Sequence, residues 1–262
     1  MNSQPIRVLS LGAGVQSSTI ALMIARGELP PVDCAIFSDT GWEPKAVYDW
    51  LAWLQTQLPY PVHHVSAGNL RSDTLSRSKS TAGRVAAVPW FTLSKDGKTG
   101  MGRRQCTAEY KLRPLQKKVV ELLGGKRAKG GCEMLIGISM DEVWRMKPSR
   151  VQYITNTFPL IERQMTRQHC LQWMEERQYP RPPKSSCIGC PFHSDAQWRA
   201  LSPEEFQDAV EVDRAIRHQP GMRHQQFMHS SRRPLDQVDF STPEERGQLN
   251  LFLNECEGMC GL

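Results

Sequence analysis

The segment Ser185-Ser186-Cys187-Ile188-Gly189-Cys190-Pro191-Phe192 sets two cysteines two residues apart, with glycine between them and proline after. Such a pair can present both sulfurs to one metal centre, and Gly189 permits the tight turn this requires. The spacing suits zinc sites, iron–sulfur sites and redox dithiols alike. A closed site needs four ligands. Cys106, in the basic stretch 103–111, and Cys170, in the stretch 166–173, are the candidates to complete a four-thiolate set with Cys187 and Cys190. Two further cysteines, Cys256 and Cys260, stand in the closing stretch Asn254-Glu255-Cys256-Glu257-Gly258-Met259-Cys260-Gly261-Leu262. Thiols there could do nucleophilic chemistry. They also read as packing residues or as extra metal ligands. Cys34 sits in an apolar run and reads as a small core residue, and Cys132 has no evident chemical role.

A second signal is Ser10-Leu11-Gly12-Ala13-Gly14-Val15-Gln16-Ser17-Ser18. Glycines let a backbone turn tightly and bring several N–H groups to one point, and a following helix adds its positive N-terminal dipole. A phosphate or sulfate suits such a place. The loop is not a Walker loop, because no Gly-Lys-Ser/Thr follows, and its glycine spacing is not that of the dinucleotide fingerprint. A plain strand-to-helix turn would look similar. Asp39, in Ser38-Asp39-Thr40-Gly41, could hydrogen-bond a ribose or help hold a cation. Asp39 or Thr40 could equally be a helix N-cap.

These residues need elements to position them. Apolar runs predict strands at 6–11, 33–37, 62–65 and 133–138, and helices at 19–27, closed by Gly27, at 44–54 and at 111–123. Strands alternating with helices imply an α/β fold with a mostly parallel, doubly wound sheet, whose ligands sit beyond the carboxyl ends of the strands. The stretch 66–105 is loop-rich and long for a connection, so it is either a lid or contains elements the pattern hides. The stretch 145–159 reads as irregular, and helices are expected at 167–177 and 197–218. The division expected is a nucleotide-binding α/β domain at 1–145 and a helical and irregular metal-binding region at 146–262, packed as one unit.

The 262 residues include 39% hydrophobic and 23% charged, with eight cysteines. No apolar run reaches the roughly 18 residues a membrane span needs, and the N-terminus lacks a signal-peptide pattern. A cytoplasmic protein is expected, in which clustered cysteines bind metal or do chemistry. Residues 101–184 hold 17 Lys and Arg against 8 Asp and Glu, which suits an anionic partner but also describes a solvated face.

The glycine loop resembles the pyrophosphate loop Ser-Gly-Gly-x-Asp-Ser of the N-type ATP pyrophosphatases, in the looser form of the PAPS reductases. Ser17 stands at its final serine, while Gln16 replaces the acid and Val15 a common lysine. Asp39-Thr40-Gly41, with Glu43 after it, resembles the Asp-Thr-Gly segment of PAPS reductases. Cys106 with Lys111 and Pro114 resembles the Cys-x-x-x-(Arg/Lys) segment of PAPS and APS reductases. Gly137-Ile138-Ser139-Met140-Asp141-Glu142-Val143-Trp144-Arg145 is similar to a family segment that brings a basic side chain to the nucleotide anion. The closing cysteines resemble that family's Glu-Cys-Gly-(Leu/Ile)-His tail without its histidine.

The resemblance implies an adenine nucleotide (ATP, PAPS or APS), with Mg, held by Ser10, Gly12, Gly14, Gln16, Ser17, Ser18, Asp39 and Arg145. It implies a 4Fe–4S cluster on Cys106, Cys170, Cys187 and Cys190, with zinc as the alternative, and Cys256 and Cys260 as catalytic thiols. The activity implied is thiol-dependent reduction or transfer of sulfur. The alternatives are ATP-dependent sulfur insertion into nucleic acid, of the DNA phosphorothioation or tRNA thiolation kind, and a metal-stapled nucleotide- or nucleic-acid-binding protein without turnover. Partners expected beside the nucleotide are a nucleic acid, a sulfur-donor or thioredoxin-like protein and a second copy in a homodimer, with no membrane.

Overall fold

The computed structural model describes residues 4–77, 88–242 and 245. In chain order the elements are β1 (Ile6–Leu11), α1 (Val15–Ala25), β2 (Cys34–Asp39), α2 (Lys45–Gln57), β3 (Val62–Ser66), α3 (Leu70–Ser76), β4 (Phe91–Leu93) and β5 (Thr99–Met101). A π-helical turn at Thr107–Leu112 leads into α4 (Arg113–Leu122), followed by β6 (Cys132–Ile136), a 3-10 segment at Met140–Arg145 and β7 (Ile154–Thr157). Then come α5 (Pro159–Glu162), α6 (Arg167–Glu176), α7 (Asp195–Arg199), α8 (Pro203–Ile216), β8 (Gln225–Phe227) and a short 3-10 turn at Leu235–Gln237.

The chain divides into two compact units, each made of two segments: 1–67 with 110–185, and 68–109 with 186–262. The expected break after residue 145 falls inside the first unit.

The first unit is an α/β layer structure. Its sheet has the order β3-β2-β1-β6-β7, and every pairing is parallel. Side chains alternate across each strand, so each strand feeds two cores. Leu9, Leu11, Ala35, Phe37 and Leu135 face one way, where α1, α2 and α6 supply Ile20, Leu51, Leu54, Trp173 and Met174. Val8, Cys34, Ile36, Cys132 and Met134 face the other, against Leu115 and Val119 of α4. The expected fold class is thus the observed one. Helix α1 ends as the sequence indicates, with Gly27 at φ 75° just past the C-cap Arg26, the left-handed position that favours glycine. It begins four residues earlier than the apolar pattern suggests, because Gly14 is its N-cap.

Strand β7 was not expected. Its four residues, Ile154-Thr155-Asn156-Thr157, bury only Ile154, as an edge strand does, and so show no apolar run. The order of the sheet reverses between β1 and β6. Both leave the sheet there by small residues, and the close approach is specific. A Cβ on Gly137 would lie 2.8 Å from the Ser17 nitrogen and 3.0 Å from its Cα. Gly137→Ala is therefore expected to displace the first turn of α1 and to cost about 1–3 kcal/mol. A urea midpoint equal to that of the unaltered chain would show that the two backbones are not in contact.

The second unit contains a three-stranded sheet of order β5-β4-β8, both pairings antiparallel. Strands β4 and β5 and helix α3 lie in the stretch read as loop-rich. The strands have three residues each and bury little, which hides them from a periodicity reading. The helix expected over 197–218 is two helices. Ser202 accepts from the Glu205 N–H in a capping box, with Pro203 at the first helical position, and proline there starts a new helix more readily than it continues an old one.

Candidate functional site

The carboxyl ends of β1, β2 and β6 gather most of the nucleotide-binding residues expected from sequence. The turn after β1 is set by Ala13, a non-glycine residue at φ 55°, in the left-handed region that costs an L side chain of order 1 kcal/mol. Ser17 Oγ accepts from the Gly12 N–H at 3.2 Å and donates to the Gly14 carbonyl at 3.4 Å. Ser185 Oγ donates to the Gly12 carbonyl. The loop is thus tied from both sides. The N–H groups of Val15, Gln16 and Ser17 form the first turn of α1 and by construction have no intrahelical acceptor. Ser18 is placed differently. It is fully buried, its hydroxyl accepts from the Trp50 indole at 3.0 Å, and its N–H is bonded to the Gly14 carbonyl. Its role is to seat α2 on α1. Ser10 is half-buried within β1.

The structure joins Gln16 to Arg145 through a residue that sequence reading passed over. Glu142 lies 2.7 Å from Arg145 Nη1 and 3.4 Å from Gln16 Nε2, which also reaches Ser139 Oγ at 3.3 Å. Arg145 Nε is buried without a hydrogen-bond partner. The signal was present in part, since Glu142 precedes Arg145 by three residues.

Asp39 ends β2. Its Oδ1 accepts from the Gly41 N–H at 2.7 Å and from the Tyr48 hydroxyl at 2.8 Å. Burial, and then the carboxylate of Asp39, push the Tyr48 phenol well above its ordinary range, so Tyr48 stays a donor and fixes Asp39. Glu43, also expected near this site, is almost wholly buried. It accepts from Thr40 Oγ1 at 3.0 Å and pairs with Lys111 at 3.3 Å.

The cysteines fall into two groups. In the second unit the Cys190 N–H donates to the Cys187 carbonyl at 3.0 Å, the tight turn expected of the motif, and both residues are half-buried. Arg104 stacks over the Phe192 ring at 5.2 Å, which lays the segment carrying half-buried Cys106 against the end of the motif. Among the described residues no three His, Cys, Asp or Glu side chains converge to hold a metal ion. The fit to a thiolate-bound metal therefore reaches the Cys187 and Cys190 pair, with Cys106 on an adjacent segment of the same unit.

Cys170 belongs to the first unit's core. It is 0% exposed, with Trp173 and Met174 on the same face of α6, a spacing of three and four residues that the sequence already showed. Burial pushes its thiol to about 12, against a smaller opposing effect of the Thr19 hydroxyl. Its thiol would have to leave this core to reach a metal. Burial likewise lifts Cys34 to about 11 and Cys132 to about 12. At pH 8 these three are thiols, not thiolates. Iodoacetamide is expected to leave all three unmodified in the native chain and to reach them only after denaturation. Native labelling of Cys170, read by peptide mass, would place it outside the core. Cys256 and Cys260 lie outside the described residues.

No helix among the described residues is long and apolar enough to cross a membrane. No family model matches the chain, and no curated protein matches it in sequence. Among solved structures, the chain is similar to the phosphoadenylyl-sulfate (PAPS) reductase of Candida auris in complex with phosphate. The two are 16% identical with a TM-score of 0.46, over 69% of this chain and 76% of that one. What stands is the α/β fold expected from the sequence, seen in the parallel five-stranded sheet itself.

Proposed function

We propose that the chain is an adenine-nucleotide-binding enzyme of sulfur chemistry. The observation that carries the reading is the meeting of the glycine loop, Gln16 and Arg145 where the strand order reverses between β1 and β6. Open α/β sheets bind ligands in that crevice. The N–H groups at the start of α1, with the helix dipole behind them, suit a phosphate or sulfate, and Arg145 offers a guanidinium fork to the same anion. Asp39, fixed by Gly41 and Tyr48 through one oxygen, has its other oxygen for a ribose hydroxyl or a magnesium ion.

In this reading Cys256 and Cys260 are the reacting thiols. One thiolate takes the sulfonate from the nucleotide, whose phosphate leaves. The second thiol then attacks that sulfur-bearing cysteine, releasing sulfite and leaving a disulfide, which an external dithiol of the thioredoxin-like kind reduces. Cys187 and Cys190, with Cys106 on the adjacent segment, are the residues that would contribute ligands to an iron–sulfur cluster, which would supply redox-active iron and sulfide.

Three measurements test the reading. Titration with ATP, PAPS and APS is expected to show binding of at least one of them, lost in Arg145→Ala. Failure of all three to bind sinks the nucleotide assignment. Anaerobic purification is expected to give about four irons and four sulfides per chain, lost in Cys187→Ala. One zinc and no iron would replace the cluster by a structural metal. Sulfite release unchanged in a Cys256→Ser, Cys260→Ser double variant would remove the tail from the chemistry.

A further inference from the structure

The 3-10 segment after β6 exposes an unusual amount of apolar surface. Met140 is 37% exposed, Val143 41%, Trp144 58% and Met146 45%. Trp144 is the most exposed large apolar side chain among the described residues. Four such side chains within seven positions form a patch of the kind that marks an interaction site.

Charges of both signs flank the patch. Of its two acids, Glu142 is paired with Arg145, and exposed Asp141 accepts from the Arg167 N–H at 2.9 Å. Lys147 and Arg150 are exposed, and neither has a carboxylate partner among the described residues. The Lys147 carbonyl accepts from Asn156 of β7 at 3.0 Å, which sets Lys147 beside the edge strand. The exposed indole is thus followed, three and six positions on, by two exposed cations.

We infer that this segment binds single-stranded nucleic acid, an unpaired base stacking on Trp144 and the adjoining phosphates meeting Lys147 and Arg150. Stacking on an exposed aromatic side chain beside a basic track is how unpaired strands are held without sequence preference. A second copy of the chain is a poorer occupant. A twofold contact through this face would set Lys147 and Arg150 against their own copies. The patch shares its 3-10 segment with Glu142 and Arg145 of the proposed nucleotide site but uses other side chains.

The test is fluorescence anisotropy with a labelled oligonucleotide of about 15 nucleotides, single-stranded DNA and RNA in parallel. Trp144→Ala is expected to weaken binding about 10-fold, with Trp144→Phe close to the unaltered chain. Lys147→Glu with Arg150→Glu is expected to weaken it and to flatten the dependence of log K on log salt by about 1.4, for two phosphates of a single strand. Lys45→Glu, on exposed α2 surface, should change neither. Absence of binding by the unaltered chain, or equal binding by Trp144→Ala, overturns the inference. So does a dimer in sedimentation that Trp144→Ala dissolves, which would make the patch a self-association surface. ATP titration of Trp144→Ala reports the nucleotide site separately.

Discussion

Arg145→Ala is expected to weaken nucleotide binding by about 10- to 100-fold, and Glu142→Gln to strengthen it about fivefold. The first figure is the usual worth of hydrogen bonds from a charged group, about 1.5–3 kcal/mol. The second is the upper range of a partly exposed ion pair, about 1 kcal/mol. The opposite signs follow from the geometry. Glu142 holds Arg145 at 2.7 Å and touches Gln16 at 3.4 Å, so an arriving anion must compete with this carboxylate for both. Removing the negative charge while keeping the shape releases the guanidinium. The double variant Arg145→Ala, Glu142→Gln should then bind no better than Arg145→Ala alone, because the carboxylate acts through the arginine. Calorimetric titration of the four proteins closes this cycle. Glu142→Gln binding more weakly than the unaltered chain would mean that the carboxylate is itself a ligand, for example to a nucleotide-bound cation.

Asp213→Ala is expected to cost about 3–5 kcal/mol, a large share of the roughly 5–15 kcal/mol that holds a typical protein folded. Asp213 lies on α8 with its side chain 1% exposed. It accepts from the Met228 N–H at 2.9 Å, from the Leu235 N–H at 3.0 Å and from the Arg217 guanidinium. One carboxylate thus ties α8 to β8 and to the turn that follows. Its loss leaves two buried N–H groups and a cation without their acceptor. Asp213→Asn keeps one acceptor oxygen and should lose less. Denaturant unfolding followed by tryptophan fluorescence measures both, and a loss below about 0.5 kcal/mol in Asp213→Ala, the range of an ordinary surface substitution, would show that the knot is not a support of this unit.

The sequence by itself determined the parallel sheet and the place of its loops. Strands β1, β2 and β6 are buried on both faces, so they read as continuous apolar runs, and the helices between them follow from Gly27 and the flanking turns. It also marked the glycine loop, Asp39 and the Cys187 and Cys190 turn, because each rests on a local spacing that a short stretch of chain can satisfy, while Arg145 was marked through the family resemblance of its segment. Strands β4, β5 and β7 were not legible. They are three or four residues long and half-exposed, and only their pairing with distant strands makes them strands.

Tertiary structure also decided which residues leave the expected sites. Ser18 stands in the glycine loop by sequence, yet its hydroxyl is spent on Trp50, which only the packing of α2 on α1 supplies. Cys170 stands in a polar stretch, yet helical periodicity turns it with Trp173 and Met174 into the core. Glu142 gained its meaning only when the ends of β1 and β6 came together and set it between Gln16 and Arg145. Composition and local spacing fix what a residue can do within its own turn of chain. Whether a buried partner uses up that capacity depends on contacts between segments 32 to 126 residues apart in these cases, which no local pattern encodes.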